Sequence, residues 1–176
     1  MRKNRILVFA LSSLFMAGLI SCADKTEGRA VKLAEKALTA TIAHPQSVEI
    51  IGISKPDSVF GQEYITQDEQ MVLSMAMMKI NEKVMKETNG MEIFDPDNKE
   101  MASLMERQME AMSSLRQMMG YSTRLSGKKP QGFTGWKVKV EYNSQDVEGR
   151  PYHAEHWFIL DKEAECVVKS FEIPLL

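Results

Sequence analysis

After residue 21 every methionine, twelve in all, falls between Met71 and Met119. The chain is therefore not one uniform layer, and the stretch from about Thr66 to Gly120 reads as a block set into a body of different composition. Its punctuation is helical. Thr66 and Glu69 have the spacing of a capping box, and Gly90 after Asn89 supplies a left-handed stop. Asp95 followed by Pro96 marks a second start, and Gly120 a second stop. The block is expected to form a helical hairpin at about 66–120.

Stepping residues at 100° places two apolar faces on the first hairpin helix. Leu73, Met77, Ile80 and Val84 share an arc of about 60°, and Met71, Met75, Met78 and Met85 share another roughly opposite. On the second helix Met101, Met105, Met109, Met112 and Met119 fall within about 80°, flanked by Leu104 and Leu115, with Gln108 inside the stripe and Arg116 at its margin. The branched face is expected to meet a sheet or the N-terminal helix, and the methionine face to meet the methionines of the second helix. Methionine packs adaptably and specifies poorly, so three readings fit these faces: core packing of the hairpin, a groove for a partner or lipid, or thioether ligation of a soft cation such as Cu(I).

The body around the block carries one helix pattern and four strand patterns. Thr26 to Ala43 places Ala30, Ala34, Ala37, Leu38 and Thr41 at helical spacing, and Pro45 ends that run at His44. Ser47 to Ser54 is β-branched and closed by Pro56-Asp57-Ser58. Trp136 to Tyr142 alternates without a break, which predicts an apolar face on the core and a charged face on water. Tyr152 to Leu160 and Val167 to Ile173 follow at hairpin intervals. The expected fold class is α+β, an N-terminal helix packed on a four-stranded antiparallel sheet with the methionine-rich hairpin inserted. That order of elements resembles the layout of cystatin-like and nuclear-transport-factor-2-like domains, which implies a helix held in the curve of the sheet.

At 176 residues, 44% apolar and 26% charged, the composition is that of a globular protein with one compact domain, assigned to 29–176. Arg2, Lys3 and Arg5 are the only charges before Cys22, so the chain from Cys22 onward carries 19 basic against 24 acidic residues, a net −5. A nucleic-acid binder needs a basic excess to displace counterions, and nucleic acid is disfavoured as a partner.

Those three bases precede an uncharged run, Ile6 to Ile20, about 22 Å long as a helix and too short for the roughly 30 Å hydrocarbon core. It has the form of a signal-peptide apolar region. The run closes on Leu19-Ile20-Ser21-Cys22, which resembles the lipobox of bacterial lipoproteins. The resemblance implies removal of residues 1–21 by the lipoprotein signal peptidase and acylation of Cys22. Residues 22–28 would then be a tether, and the membrane a partner through the anchor. Two or more acyl chains hold a soluble domain at a bilayer nearly permanently, at about 0.8 kcal/mol per CH2. In enterobacterial lipoproteins an aspartate directly after the cysteine marks inner-membrane retention. Ala23 stands there instead, and the resemblance points to the outer membrane. His44-Pro45-Gln46-Ser47 leading into a strand, with Asp57-Ser58-Val59-Phe60, is similar to small envelope lipoproteins of Bacteroidota, which adds a habitat and no mechanism.

Motifs for catalysis are missing where they would be legible. His153 and His156 are three apart on a strand and point to opposite faces, so they cannot share an ion. Gly120 to Lys128 lacks the four-residue spacing and hydroxyl of a P-loop, and no Gly-x-Ser-x-Gly occurs. Asp95 and Asp97 are accounted for by capping. Cys166, left without a partner once Cys22 is acylated, is expected to be a small packed residue. Arg124, Lys128 and Lys129 near Phe133 and Trp136 form a local basic and aromatic cluster in a connection. No cofactor and no metal-ligand set is read from the chain. The sequence thus points to a non-enzymatic, membrane-anchored envelope protein that binds an envelope protein or apolar ligand through Met71, Met75, Met78, Met85, Met101, Met105, Met109 and Met112. The alternatives are a hydrolase with a site in the concave sheet and copper handling through clustered methionines.

Overall fold

The structure is a computed structural model that describes residues 25–62, 64–90, 92, 95, 97–125 and 132–176, with backbone alone described at 119–125. It is α+β: a first helix, an antiparallel sheet, and a helical pair inserted between sheet strands. The first helix, α1, covers 25–41. A single 3-10 turn, Pro45–Ser47, leads into β1 (Glu49–Ile53) and β2 (Asp57–Phe60). Then come α2 (Gln67–Glu87) and α3 (Lys99–Leu125), followed by β3 (Phe133–Gln145), β4 (Pro151–Leu160) and β5 (Val167–Leu175).

The sheet has five strands and not four. β1 and β2 lie end to end along the same neighbour, β1 on Val140 to Asn143 and β2 on Phe133 to Lys137. They are one extended run broken at Ser54-Lys55-Pro56. Proline has no N–H for the ladder, so pairing is interrupted there and resumes at Asp57. Ser54 bridges the gap, because its N–H donates to the Lys139 carbonyl and its Oγ accepts from the Lys139 N–H, at 2.9 and 3.0 Å.

Strand register sorts the two sheet faces. Val138 pairs with Phe158, Val140 with His156 and Tyr142 with Ala154, and these share a face with Ser170, Glu172 and Pro174. α1 lies on that face. Its Ala30, Ala34 and Leu38 are fully buried against Val138, Val140, Tyr142 and Phe158, small side chains that let the helix approach closely. The opposite face carries Lys137, Lys139, Trp157, Phe171 and Ile173, and α2 covers it with Leu73, Met77, Ile80 and Val84. α3 runs along β5, the outer strand on that side.

Two expectations about β3 and α3 are corrected. The charged face of β3 meets water only in part: Lys137 is 4% exposed, roofed by the first turn of α2, while Lys139 and Glu141 are half-buried. α3 does not begin at Asp95 or stop at Gly120. Asn98 caps it, its Oδ1 accepting from the Met101 N–H at 3.1 Å, while Asp95 accepts from the Asp97 N–H in a turn ahead of the helix. The helix then runs through Gly120 to Leu125, since one glycine costs only about 1 kcal/mol and does not oblige a stop. The start of α2 is as expected, a complete capping box between Thr66 and Glu69. Asn89 and Gly90 both have positive φ at its end.

Candidate functional site

The hairpin helices run antiparallel. Lys83 of α2 lies beside Met101 and Leu104 of α3, whereas Ser74 to Glu82 border Gln108 to Arg116. The branched face of α2 packs inward as expected, but onto both the sheet and α3. Its methionine face does not meet α3. Met71, Met75, Met78 and Met85 point outward, 64%, 56%, 70% and 43% exposed.

The same correction applies to α3. The buried side chains are Met101, Ala111, Leu115 and Met118, with Leu104 and Met105 partly covered, while Met109 and Met112 are 69% and 46% exposed. The helix is turned so that Ala111 and Leu115, rather than Met109 and Met112, face α2. A small alanine allows close helix approach, and four thioether chains at the same contact would hold the helices apart. Of the stripe read from the sequence, only Met101 is fully in the core, and the side chain of Met119 lies outside the described residues.

The exposed methionines border a cleft between α2 and α3 of about 1080 Å³, lined by Met75, Met77, Met78, Met112 and Leu115, with Lys79, Glu82 and Arg116 at its rim. Apolar surface of this extent, rimmed by charge, marks a binding surface more often than a bare face of a monomer.

A second, polar site lies where α3 runs along the edge strand β5 and its Arg107 reaches the face of the sheet that carries Glu172. Arg107 Nε donates to Glu172 Oε1 at 2.9 Å, and its guanidinium stands 3.6 Å over the Tyr152 ring. The fully buried Tyr142 hydroxyl donates to the other oxygen of Glu172. Burial first, and then the Glu172 charge, pushes the Tyr142 phenol far above its ordinary range, so it stays a donor. His156, opposite Glu172 on β4, is 8% exposed and stacks on Phe158 with centroids 4.4 Å apart. Burial lowers its imidazole to about 4 against the opposing pull of Glu172, and neither ring nitrogen has a hydrogen-bond partner among the described residues. A smaller cavity of about 450 Å³ is lined by Arg107, His156, Ser113, Ser114, Ser170 and Glu172.

Titratable groups thus converge here, but no serine donates to His156 and no carboxylate orients it, so the nucleophile–base–orienter chain of a hydrolase is not formed. Comparison with protein-family models, with curated proteins and with solved structures finds no match for this chain. Site chemistry must therefore be argued from the side chains themselves.

The remaining residues singled out in the sequence are dispersed. His153 lies on the face opposite His156 and contacts Glu141 at 2.9 Å, so the two rings do not meet. Cys166 is exposed in the β4–β5 turn and not packed. Desolvation and the Asp161, Glu165 and Glu163 carboxylates raise its thiol, which disfavours the thiolate. Phe133 and Trp136 pack edge-on at 5.1 Å, and the Trp136 indole donates to the Lys162 carbonyl. Cys22, Lys128, Lys129 and the Arg124 side chain lie outside the described residues. Among the described residues no helix is long and apolar enough to cross a membrane, and no three His, Cys, Asp or Glu side chains form a metal-binding group.

Arg107, Glu172 and Tyr142 were not singled out from the sequence. The signal was present in β5, where Ser170 and Glu172 alternate with Phe171 and Ile173, which places a lone carboxylate on a face shared with Val138 and Val140.

Proposed function

We propose that this chain is a lipid-anchored envelope protein, tethered by an acylated Cys22 in the outer membrane, whose α2–α3 face binds an apolar partner or ligand without catalysing a reaction. The observation that carries the reading is the outward placement of Met75, Met78 and Met112 around a cleft of about 1080 Å³. Burying flexible, polarizable side chains suits a surface that must adapt to what it holds. α1 begins within a few residues of the lipobox cysteine, which would hold the domain close to the bilayer. Similarity to small envelope lipoproteins of Bacteroidota fits the same habitat.

Two measurements test it. Radiolabelled palmitate should enter the wild-type chain, and Cys22→Ser should release the protein from membranes. An apolar fluorescent dye such as anilinonaphthalene sulfonate should brighten with the wild-type protein and lose most of that signal in Met78→Asp/Met112→Asp, with the unfolding midpoint unchanged. A Cys22→Ser protein that fractionates like the original removes the anchor, and unchanged dye binding removes the cleft.

A further inference from the structure

The outward faces of the two hairpin helices share one spacing. On α2 the exposed residues of this face are Met71, Met75, Met78, Glu82 and Met85, and on α3 they are Met109, Met112 and Arg116. The first follow steps of four, three, four and three and the second steps of three and four, the intervals of a coiled-coil seam. The molecule already uses a different seam on each helix for its own core, through Leu73, Met77, Ile80 and Val84 and through Met101, Ala111, Leu115 and Met118. The second seam on each helix is therefore surplus to the fold of one chain.

Charge singles out the occupant. Each surplus seam has one charged member four residues after its middle member, Glu82 on α2 and Arg116 on α3. Because the helices are antiparallel, these two sit toward opposite ends of the cleft, and neither makes an ion pair among the described residues. Met78 and Met112, the middle members, line the same stretch of the cleft. A two-fold axis through that level, perpendicular to the helices, runs each seam antiparallel against its own copy. Met71 then faces the second copy's Met85. The same rotation brings Glu82 level with the second copy's Arg116, once at each end. The pairing that one chain cannot make is satisfied twice in the dimer, which is what a self-complementary surface requires.

We propose that the outer methionine face of α2 and α3 is the contact of a symmetric homodimer, a four-helix bundle made of two hairpins. This rests on the reading of the α2–α3 face as the binding surface and names its partner as a second copy of this chain. The face from Met71 to Met85 is about 21 Å long and two helices, about 20 Å, wide, a footprint below that of standard interfaces. Chains tethered to one membrane would meet at a raised local concentration, which favours a contact of that size.

Cysteine cross-linking of the full-length chain in native membranes tests the register, in a Cys166→Ser background. Met78→Cys and Met112→Cys sit on the axis and should each give a disulfide-linked species at twice the mass of the membrane-bound chain under mild oxidation. Met71→Cys, displaced from its own copy, should give at least fivefold less. Glu82→Arg should reduce the Met78→Cys product severalfold, and adding Arg116→Glu should restore it. Equal cross-linking at Met71 and Met78, or no rescue by the double swap, overturns the proposed dimer. No product while a dye on Met78→Cys stays shielded in membranes overturns the second copy and leaves the binding surface. No product with the dye fully exposed to water overturns both.

Discussion

Glu69 Oε2 lies 2.6 Å from the ammonium of Lys137, a lysine almost wholly buried under the first turn of α2. The same carboxylate accepts the Thr66 N–H at 2.9 Å and contacts Lys139 at 2.9 Å, so it caps the helix and fastens it to the sheet at once. Lys139 in turn stands 4.2 Å over the Trp157 ring, whose indole N–H donates to Glu155. Breaking a buried pair from one side leaves the other charge stranded. Glu69→Gln should lower stability by about 3 kcal/mol in urea unfolding, and Thr66→Ala, which loses only a cap, by about 1 kcal/mol. Equal losses would mean that capping alone matters.

The pH profile of stability should have two steps below neutrality. His156 is held down from 6.5 to about 4 by burial, so the unfolded chain takes up its proton first, and stability falls as pH drops from 6.5 toward 4. Burial alone would raise the Glu69 carboxyl. The hydrogen bonds from Lys137, Thr66 and Lys139 outweigh it and bring it from 4.5 to about 2. Its contribution is complete above 4.5 and lost as pH falls toward 2. Melting temperatures across pH 2–8 should show both steps. Glu69→Gln should shrink the lower one, to which the lowered Asp146 and Asp161 carboxyls also contribute, and leave the upper one.

His156→Phe should remove the upper step and be more stable than wild type at pH 5, since it deletes two buried nitrogens that no group among the described residues satisfies and keeps the stack on Phe158. Calorimetry at pH 5 and pH 7.5 checks this. A lower midpoint at both values would show that a bound water or ligand satisfies the ring.

Gly135 allows β3 and the end of β4 to approach each other. A Cβ built there falls 1.9 Å from the Leu160 carbonyl oxygen, which is backbone and cannot swing aside. Gly135→Ala should cost several kcal/mol, of order 3 or more, and lower the yield of folded protein, whereas Gly28→Ala, with open space around it, should not. Circular dichroism melts of the two variants make the comparison.

The two faces of α2 should behave differently on substitution. Leu73→Ala should cost about 2–5 kcal/mol because Leu73 is buried in the core with Trp157 and Phe171, and Met78→Gln should change stability by less than about 0.5 kcal/mol. A large loss at Met78 in dilute solution would place its side chain in the core of the single chain.

Element order, the Thr66 cap, the alternation of β3 and the opposed directions of His153 and His156 were all legible in the chain, because each depends on residues within one or two turns or along one strand. The break in the first strand at Pro56 was visible as a stop. Its continuation as β2 was not, since the resumed pairing is with β3, far along the chain. Two apolar faces on α2 could be counted, but their relative burial could not be ranked, because methionine and leucine transfer from water with similar free energies.

Local spacing by itself determined the helices and every strand but β2, and where most of those elements start. How each helix turns about its own axis was decided only by the assembled fold, through shape. Ala111 and Leu115 share a core with Leu73 and Ile80 while Met109 and Met112 stay exposed, and Arg107 reaches Glu172 across 65 positions of sequence. Hydrophobic burial is non-directional, so periodicity marks a greasy face without naming its neighbour. Packing density and the pairing of buried charge make that choice.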